Sequence, residues 1–372
     1  LFYAFCHDSG VSKPISSSPV SGRGAGENRV PVRFNLPDRQ PDGDWLDERE
    51  WQDGGVPRLR TTVTEEHPKS ILSFNASPDI PFDRSVNAYR GCEHGCIYCY
   101  ARPSHAFHDL SPGLDFESRL FAKPQAASLL RKTLAKQGYR PAPIAIGTNT
   151  DPYQPIERTY RITRQILEVM VETRHPIVIT TKSAKVVEDI PLLADLAKDN
   201  LTGVALSVTT LDGKLARILE PRASTPQKRL ETVRLLADAG IYVHVNIAPI
   251  IPGITDTEIE ALVAAAAEYG AQSVSWIPIR LPHEVAPLFR EWLDTHFPDR
   301  ASKVMNIIRD LRGGKDNDPA FFSRMRGSGS WAELIRARMR IAKSRHGLGS
   351  SKWSVRSDLF TPPNVSGQLN LF

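Results

Sequence analysis

The sequence is poor in sulfur, with four cysteines and four methionines among 372 residues. Three of the cysteines, Cys92, Cys96 and Cys99, crowd into eight positions, which leaves only Cys6 elsewhere. A secreted disulfide framework spreads paired cysteines along the chain, so this distribution argues instead for a reducing compartment and a metal site. A cytoplasmic protein is expected. No apolar run of about 18 residues occurs, so no membrane-spanning helix and no membrane partner are expected. The first six residues are largely apolar but too few for a signal peptide. The chain begins at Leu1 and reaches its first methionine at Met170, which suggests a non-standard start codon or a fragment. A concentrated basic element is missing too: the net charge of +5 is spread thinly, which permits nucleic-acid contact without arguing for it.

Residues 1–28 are expected to form a disordered N-terminal segment, because from Gly10 onward Ser, Gly and Pro leave little apolar surface to bury. Residues 29–84 read as an irregular arm with isolated apolar anchors at Phe34, Trp45, Trp51 and Ile71. From residue 85 to residue 282 short β-branched runs alternate with helical patterns. The expected strands are Val86–Arg90, Pro143–Thr148, Pro176–Thr181, Gly203–Thr209, Ile241–Ala248 and Gln272–Ile277. After the first they recur about every 30 residues, the length of a βα unit. The helices expected between them are Gln125–Gln137, Tyr160–Thr173, Val186–Lys198, Pro226–Ala239 and Thr255–Tyr269. Gly240 is a stop signal for the fourth, and Thr255 with Glu258 reads as a capping box for the fifth. Six such repeats indicate an α/β fold with a parallel sheet, open or curled into a partial barrel. Residues 283–346 read as a helical extension, over Val285–Phe297, Ala301–Arg312 and Trp331–Ser344, and residues 347–372 as a disordered tail.

Period-two reading separates the strand faces. In the fifth strand Ile241, Val243, Val245 and Ile247 suit a helix layer, while Tyr242, His244 and Asn246 face a cavity where buried polar groups find partners. In the fourth, Val204, Leu206 and Val208 oppose Ala205, Ser207 and Thr209; in the third, Lys182 falls on the inward side.

The chemistry is concentrated in Asn87-Ala-Tyr-Arg-Gly-Cys92-Glu-His-Gly-Cys96-Ile-Tyr-Cys99-Tyr100, just after the first strand. Functional groups of parallel α/β folds gather at the carboxyl ends of strands, so the position suits a site. Three thiolates in one loop favour zinc or an iron–sulfur cluster. Zinc needs a fourth ligand, for which His94, His105 and His108 are candidates; three cysteines alone can hold three irons of a four-iron cluster and leave the fourth open.

This Cys-x3-Cys-x2-Cys loop, with Tyr98 before its last cysteine, resembles the signature of the radical S-adenosylmethionine (radical SAM) enzymes. The resemblance implies a (β/α)6 partial TIM barrel, here with an irregular N-terminal arm and a helical C-terminal extension. It implies a [4Fe-4S] cluster on Cys92, Cys96 and Cys99, whose open iron is chelated by S-adenosyl-L-methionine. It also implies reductive cleavage to a 5′-deoxyadenosyl radical that abstracts hydrogen from substrate, and an external electron donor of flavodoxin or ferredoxin type. Within the superfamily the chain is most similar to the spore photoproduct lyase-like group, called DNA repair photolyases. That likeness rests on Tyr89-Arg-Gly-Cys92 to Arg102, on Gly147-Thr-Asn-Thr-Asp-Pro-Tyr-Gln154 and on Thr181-Lys-Ser183.

On this resemblance Lys182 pairs with the carboxylate of S-adenosylmethionine. Tyr98, Asn149, Asp151, Ser207, Thr209 and Asn246 are further candidate cofactor contacts, and Ile250–Gly253 resembles the adenine-flanking segment. Arg280, after the sixth strand, is a candidate contact for an anionic substrate. Glu220-Pro221-Arg222 reads most simply as a helix-end salt bridge. Candidate substrates are a damaged nucleobase, which would make the enzyme lyase-like, a modified RNA base and a peptide. The true lyase uses a further cysteine near the end of strand two, and Ile146–Asp151 contains none, which argues against thymine-dimer repair by that route. The reading from a different class is a zinc-stabilised binding or scaffold protein.

Overall fold

The β-branched runs form one sheet in the computed structural model, which describes residues 20, 22–29, 31, 59–348 and 353–364. Strands β1 (Thr62–Glu65), β2 (Leu72–Phe74), β3 (Arg84–Val86), β4 (Tyr89–Arg90) and β5 (Arg119–Ala122) come first. They are followed by β6 (Ile144–Ile146), β7 (Ile177–Thr181), β8 (Thr202–Ser207), β9 (Tyr242–Ile250) and β10 (Ser273–Pro278). The main sheet has the order β10-β9-β8-β7-β6-β3-β2, parallel throughout except where β2 meets β3. The six parallel strands thus lie side by side in chain order, as successive βα crossovers place them. The crossovers after β3 carry α1 (Ala126–Leu134), α2 (Ile162–Thr173), α3 (Ile190–Lys198), α4 (Pro226–Asp238) and α5 (Ile259–Glu268). The extension adds α6 (Val285–His296), α7 (Pro298–Leu311) and α8 (Gly329–Arg345).

Burial follows the period-two expectation. Along β9, Val243, Val245 and Ile247 join a core with Leu230, Val233 and Leu236 of α4 and Ile259 and Leu262 of α5. Each fully buried aliphatic side chain of this kind contributes about 1.5–3 kcal/mol. The intervening Tyr242, His244 and Asn246 are only half-buried and face polar neighbours.

Three expectations need correction. The first run, Val86–Arg90, is not one strand: β3 belongs to the main sheet, whereas β4 pairs antiparallel with β5, which in turn pairs with β1. The first crossover therefore holds a separate three-stranded sheet of order β1-β5-β4, and the regular (β/α)6 pattern is interrupted there. Second, Thr255 and Glu258 do not form a capping box. The Thr255 hydroxyl accepts from the Ile251 amide, and Glu258 accepts from the Thr210 hydroxyl and the Leu211 amide, so it ties α5 to the end of β8. Third, residues 353–364, expected in a disordered tail, cross the amino-terminal ends of the strands. Trp353 stacks on Tyr242 at 4.0 Å, the Asn200 side chain donates to the Ser354 carbonyl, and Phe360 meets His175. Phe34, Trp45, Trp51 and Cys6 lie outside the described residues.

Among the described residues the sheet's end strands, β2 and β10, pair with no further strand of it. A segment from the extension spans this open side. Arg324 donates to Asp79 through Nε and Nη2 at 2.7 and 2.5 Å, and the Phe322 amide donates to the same carboxylate at 3.0 Å. Arg324 holds Asp79 at a pKa of about 2, below its ordinary carboxylate value. Arg312 fastens the segment to β10 by donating to the carbonyls of Pro278, Ile279, Ser323 and Arg324.

Candidate active site

The cysteine loop leaves β4 and is shaped by its own backbone. The Gly95 amide donates to the Cys92 carbonyl, Cys99 to Cys96, and Arg102 to Cys99, at 3.3, 3.2 and 3.2 Å. Gly91 and Gly95 adopt φ of 71° and 67°, the left-handed region that glycine enters without strain. A Cβ at Gly91 would fall 2.6 Å from Leu120 and 2.8 Å from the Phe116 carbonyl. The loop is docked at both sides, by Cys92 N to Phe116 O at 2.8 Å and Ile97 N to Leu219 O at 3.1 Å.

Beneath it lies a buried ion pair. Arg102, with no solvent exposure, donates to the Cys96 and Gly95 carbonyls at 2.9 and 3.1 Å and to Glu117 at 2.5 Å. Glu117 in turn accepts the Gly24 and Ala25 amides at 2.9 Å each. Arg23 donates to the Glu117 carbonyl and to Thr61, whose hydroxyl donates to Glu93 in the loop. A short strap around residue 24 therefore lies on the cysteine loop, in a region expected to be disordered. Its ordering follows from charge: a buried carboxylate needs several donors, and two backbone amides supply them.

Cys92 and Cys96 are each 8% exposed and Cys99 is half-buried; all three are free. Burial pushes the Cys92 and Cys96 thiols well above the ordinary range, with nearby carboxylates adding to it, so a cationic ligand is needed to draw off their protons. Among the described residues no three His, Cys, Asp or Glu side chains gather closely enough to hold a single metal ion. His94 faces Asp151 at 3.4 Å, and His105 Nε2 meets the Arg119 carbonyl at 2.9 Å.

Across from the loop, the Lys182 ammonium lies 5.8 Å from the centre of the Tyr98 ring, one residue past the end of β7. The Tyr98 hydroxyl donates to Glu220 and also meets Thr209 at 3.2 Å. Glu220 accepts from the Thr209 hydroxyl at 2.7 Å and pairs with Arg229, which donates to the Ser207 carbonyl at 3.0 Å. Burial alone would raise the Glu220 pKa, but Arg229 and Lys182 lower it to about 2. Burial and the Glu220 charge keep the Tyr98 phenol protonated.

Asp151 accepts from the Thr181 hydroxyl, the Lys182 amide and the Tyr153 amide at 2.7, 2.7 and 2.9 Å, besides facing His94. Against burial, the His94 contact and these donors hold its pKa at about 2. Its oxygens are thus taken up in joining the cysteine loop to β7. Asn149 is half-buried, its amide donating to Asn87 at 3.2 Å. Ser207 and Asn246 are partners in register on β8 and β9, and Asn246 accepts from Ser275 and His244 Nε2 at 2.6 and 3.0 Å. His244 also meets Ser273, and burial lowers its pKa to about 4, so its ring is neutral at physiological pH.

The Radical SAM superfamily profile matches residues 86–266, from the last residue of β3 into α5. An uncharacterized protein of Mycobacterium tuberculosis (strain ATCC 25618 / H37Rv) is 35% identical over 232 residues, 62% of this chain and 68% of that one. This chain belongs to the radical SAM superfamily. Another relative, an uncharacterized protein of Methanocaldococcus jannaschii, is 30% identical over 173 residues, 46% of this chain and 62% of that one. Among solved structures, spore photoproduct lyase complexed with dinucleoside spore photoproduct shares the fold, with a TM-score of 0.55 at 16% identity. The match covers 82% of this chain and 92% of that one.

For a radical SAM protein the surprise lies behind the signature loop. The thiols of Cys92, Cys96 and Cys99 act on one another, Lys182 lies over Tyr98 and within electrostatic reach of Cys96, Thr209 stands behind Tyr98, and Ser207 ends β8 two residues earlier. Asn149, Asp151 and Asn246 border these residues through the partners just described. Sequence reasoning did not find the Arg102–Glu117 pair, Arg229, or the part Glu220 plays as a buried acceptor instead of a helix-end salt bridge. Gln154, the last residue of the segment that starts at Gly147, accepts the Glu93 amide at 2.9 Å and donates to the Gly91 carbonyl at 3.1 Å. The available signal was a polar residue at the edge of an otherwise recognisable motif. Among the described residues no helix is long and apolar enough to cross a membrane.

Proposed function

We propose that the protein is a radical SAM enzyme in which Cys92, Cys96 and Cys99 hold a [4Fe-4S] cluster and S-adenosyl-L-methionine binds beside Lys182. The observation that carries this reading is a loop of three free thiols that act on one another, with the Lys182 ammonium over the Tyr98 ring and in electrostatic reach of Cys96, at the carboxyl ends of parallel strands. The donor set fits such a cluster, which takes cysteine ligands, whereas a closed zinc site needs a fourth ligand. His94 faces Asp151, His105 meets the Arg119 carbonyl through Nε2, and among the described residues neither these nor His108 joins a group of three His, Cys, Asp or Glu side chains able to hold a single metal ion. When bound, the cluster and S-adenosylmethionine supply one-electron cleavage of a sulfonium bond and, from it, hydrogen abstraction from substrate.

The chain's own residues hold and shield that chemistry. Lys182, steadied over the Tyr98 ring, offers its ammonium to the carboxylate of the methionine moiety. Glu220 and Arg229 fix Tyr98 from behind, and Asp151 fixes the loop to β7. Asn149, Ser207 and Asn246 border the remaining space as ribose or methionine contacts. The Asp151 and Thr209 oxygens are engaged within the protein, so their part is positioning. A nucleic-acid base, handled by lyase-like chemistry, is the substrate class supported by a fold neighbour solved with a dinucleoside photoproduct. A flavodoxin or ferredoxin type donor supplies electrons, and a cytoplasmic setting suits free thiols.

Protein reconstituted with iron and sulfide without oxygen should bind about four irons. On chemical reduction with S-adenosylmethionine it should release 5′-deoxyadenosine, and Cys96→Ala should not. Folded wild type that binds zinc alone and releases none overturns the reading.

A further inference from the structure

Three arginines meet near the carboxyl end of β10, and two of them are each held by several hydrogen bonds, although the Nε of Arg312 is buried without one among the described residues. Arg324 is paired with Asp79, and Arg312 spends its Nη groups on four carbonyls. Arg280, two residues past β10, is not so held. Among the described residues its Nη1 reaches only the thioether of Met325, at 3.6 Å, and its Nε is buried without a hydrogen-bond partner. A thioether is a weak acceptor, and arginine does not escape burial by losing its proton. Asp79 is the carboxylate that acts on Arg280, and it is already paired with Arg324. A half-buried guanidinium with no ion-pair carboxylate among the described residues is suited to an added anion.

The surroundings say where that anion lies. The Arg280 guanidinium is 5.5 Å from the centre of the Tyr100 ring, and Tyr100 directly follows Cys99. The Tyr100 hydroxyl donates to the Thr148 carbonyl past the end of β6, while the side chain remains 52% exposed. The free edge of Arg280 is therefore held over an accessible aromatic face at the mouth of the sheet, beside the cysteine loop. Burial and the Arg324 charge lower the proton affinity of Arg280 below the ordinary arginine value, which an added anion would restore.

We propose that Arg280 binds a singly charged oxyanion of the substrate, a phosphodiester or a carboxylate, and holds it against Tyr100. A guanidinium fork stacked on a ring presents parallel N–H donors that match either group. The part this site plays in catalysis rests on the radical SAM reading; the binding itself does not. It fixes the charged end of the substrate beside the loop that carries the thiols and leaves the rest of the molecule to reach inward.

The test is calorimetric titration of the full chain, purified without oxygen, with methyl phenyl phosphate and with benzoate. At least one probe should bind wild type, and Arg280→Met should weaken it about tenfold or more, the loss expected for a charge-assisted bond. Arg280→Lys, a point charge without the fork, should fall between them. Binding of the phosphate ester alone assigns a phosphodiester, and of benzoate alone a carboxylate; binding of both supports the oxyanion site generally. Arg280→Met should melt no lower than wild type, because it removes an unpaired charge, and Arg280→Lys serves if the first variant does not fold. Neither probe binding wild type, or equal affinity in wild type and the variants, overturns the proposal. Release of 5′-deoxyadenosine without substrate is measured in parallel, so failure of the radical reading is seen separately from failure of anion binding.

Discussion

Glu220 divides two oxygens among Tyr98, Thr209 and Arg229, all of them buried. Removing one side of such a pair leaves the other charge stranded, and the cost is about 3–5 kcal/mol. Glu220→Ala should therefore lose roughly that much in urea unfolding, while Arg222→Ala, whose side chain is 37% exposed, should change little. Glu157 behaves differently. Burial raises its pKa from 4.5 to about 7, although the Tyr89 hydroxyl and the Thr163 and Arg164 amides pull the other way. Between those pH values the folded chain keeps a proton that the unfolded chain has released, so this group's contribution to stability falls as pH rises through the window. Melting temperatures measured across it should decline in wild type and decline less in Glu157→Gln; parallel curves would show that Glu157 does not titrate there. At this scale the cysteines were legible because their spacing is itself the chemistry. Arg229 and Arg102 were not, since an arginine in a helix or turn looks the same whether it meets water or a buried carboxylate 9 or 15 residues away.

The main strands and crossover helices were legible as elements because each buries one face and so carries a period. The sheet β1-β5-β4 left no such trace: its strands have two to four residues, and β1 is largely exposed. The strap at residue 24 carries no period for a related reason, since backbone amides and the Arg23 guanidinium hold it, with Ala25 its small buried apolar contact. Its glycine is a steric requirement. A Cβ at Gly24 would come within 1.7 Å of the Gly95 carbonyl oxygen, far inside contact distance. Gly24→Ala should lift the strap and take two donors from Glu117. Trypsin should then cleave at Arg23 or Arg29 several-fold faster than in wild type, with the melting temperature lowered. Unchanged cleavage at both sites would mean that the loop, not the strap, yields.

For the molecule as a whole, the extension and tail close what the parallel sheet leaves open. The segment around Arg324 covers the lateral gap, and residues 353–364 cover the floor. Trp353 lies against Gly203 and stacks on Tyr242, so Trp353→Ala should cost roughly 2 kcal/mol in urea unfolding. A loss below a few tenths would show that the tail rests on the floor without stabilising it. The alternation of strands and helices foretold the sheet, but the tail's place could not be read, because its anchors pair with residues more than 100 positions earlier. The tail touches Asn200, Thr173 and His175, each ahead of a strand, whereas the strap touches the loop that follows the first strands. At residue 361 the chain thus lies on the face opposite its thiols. A molecule tethered to a surface from that end would turn its cysteine loop outward, toward whatever diffuses to it from solution.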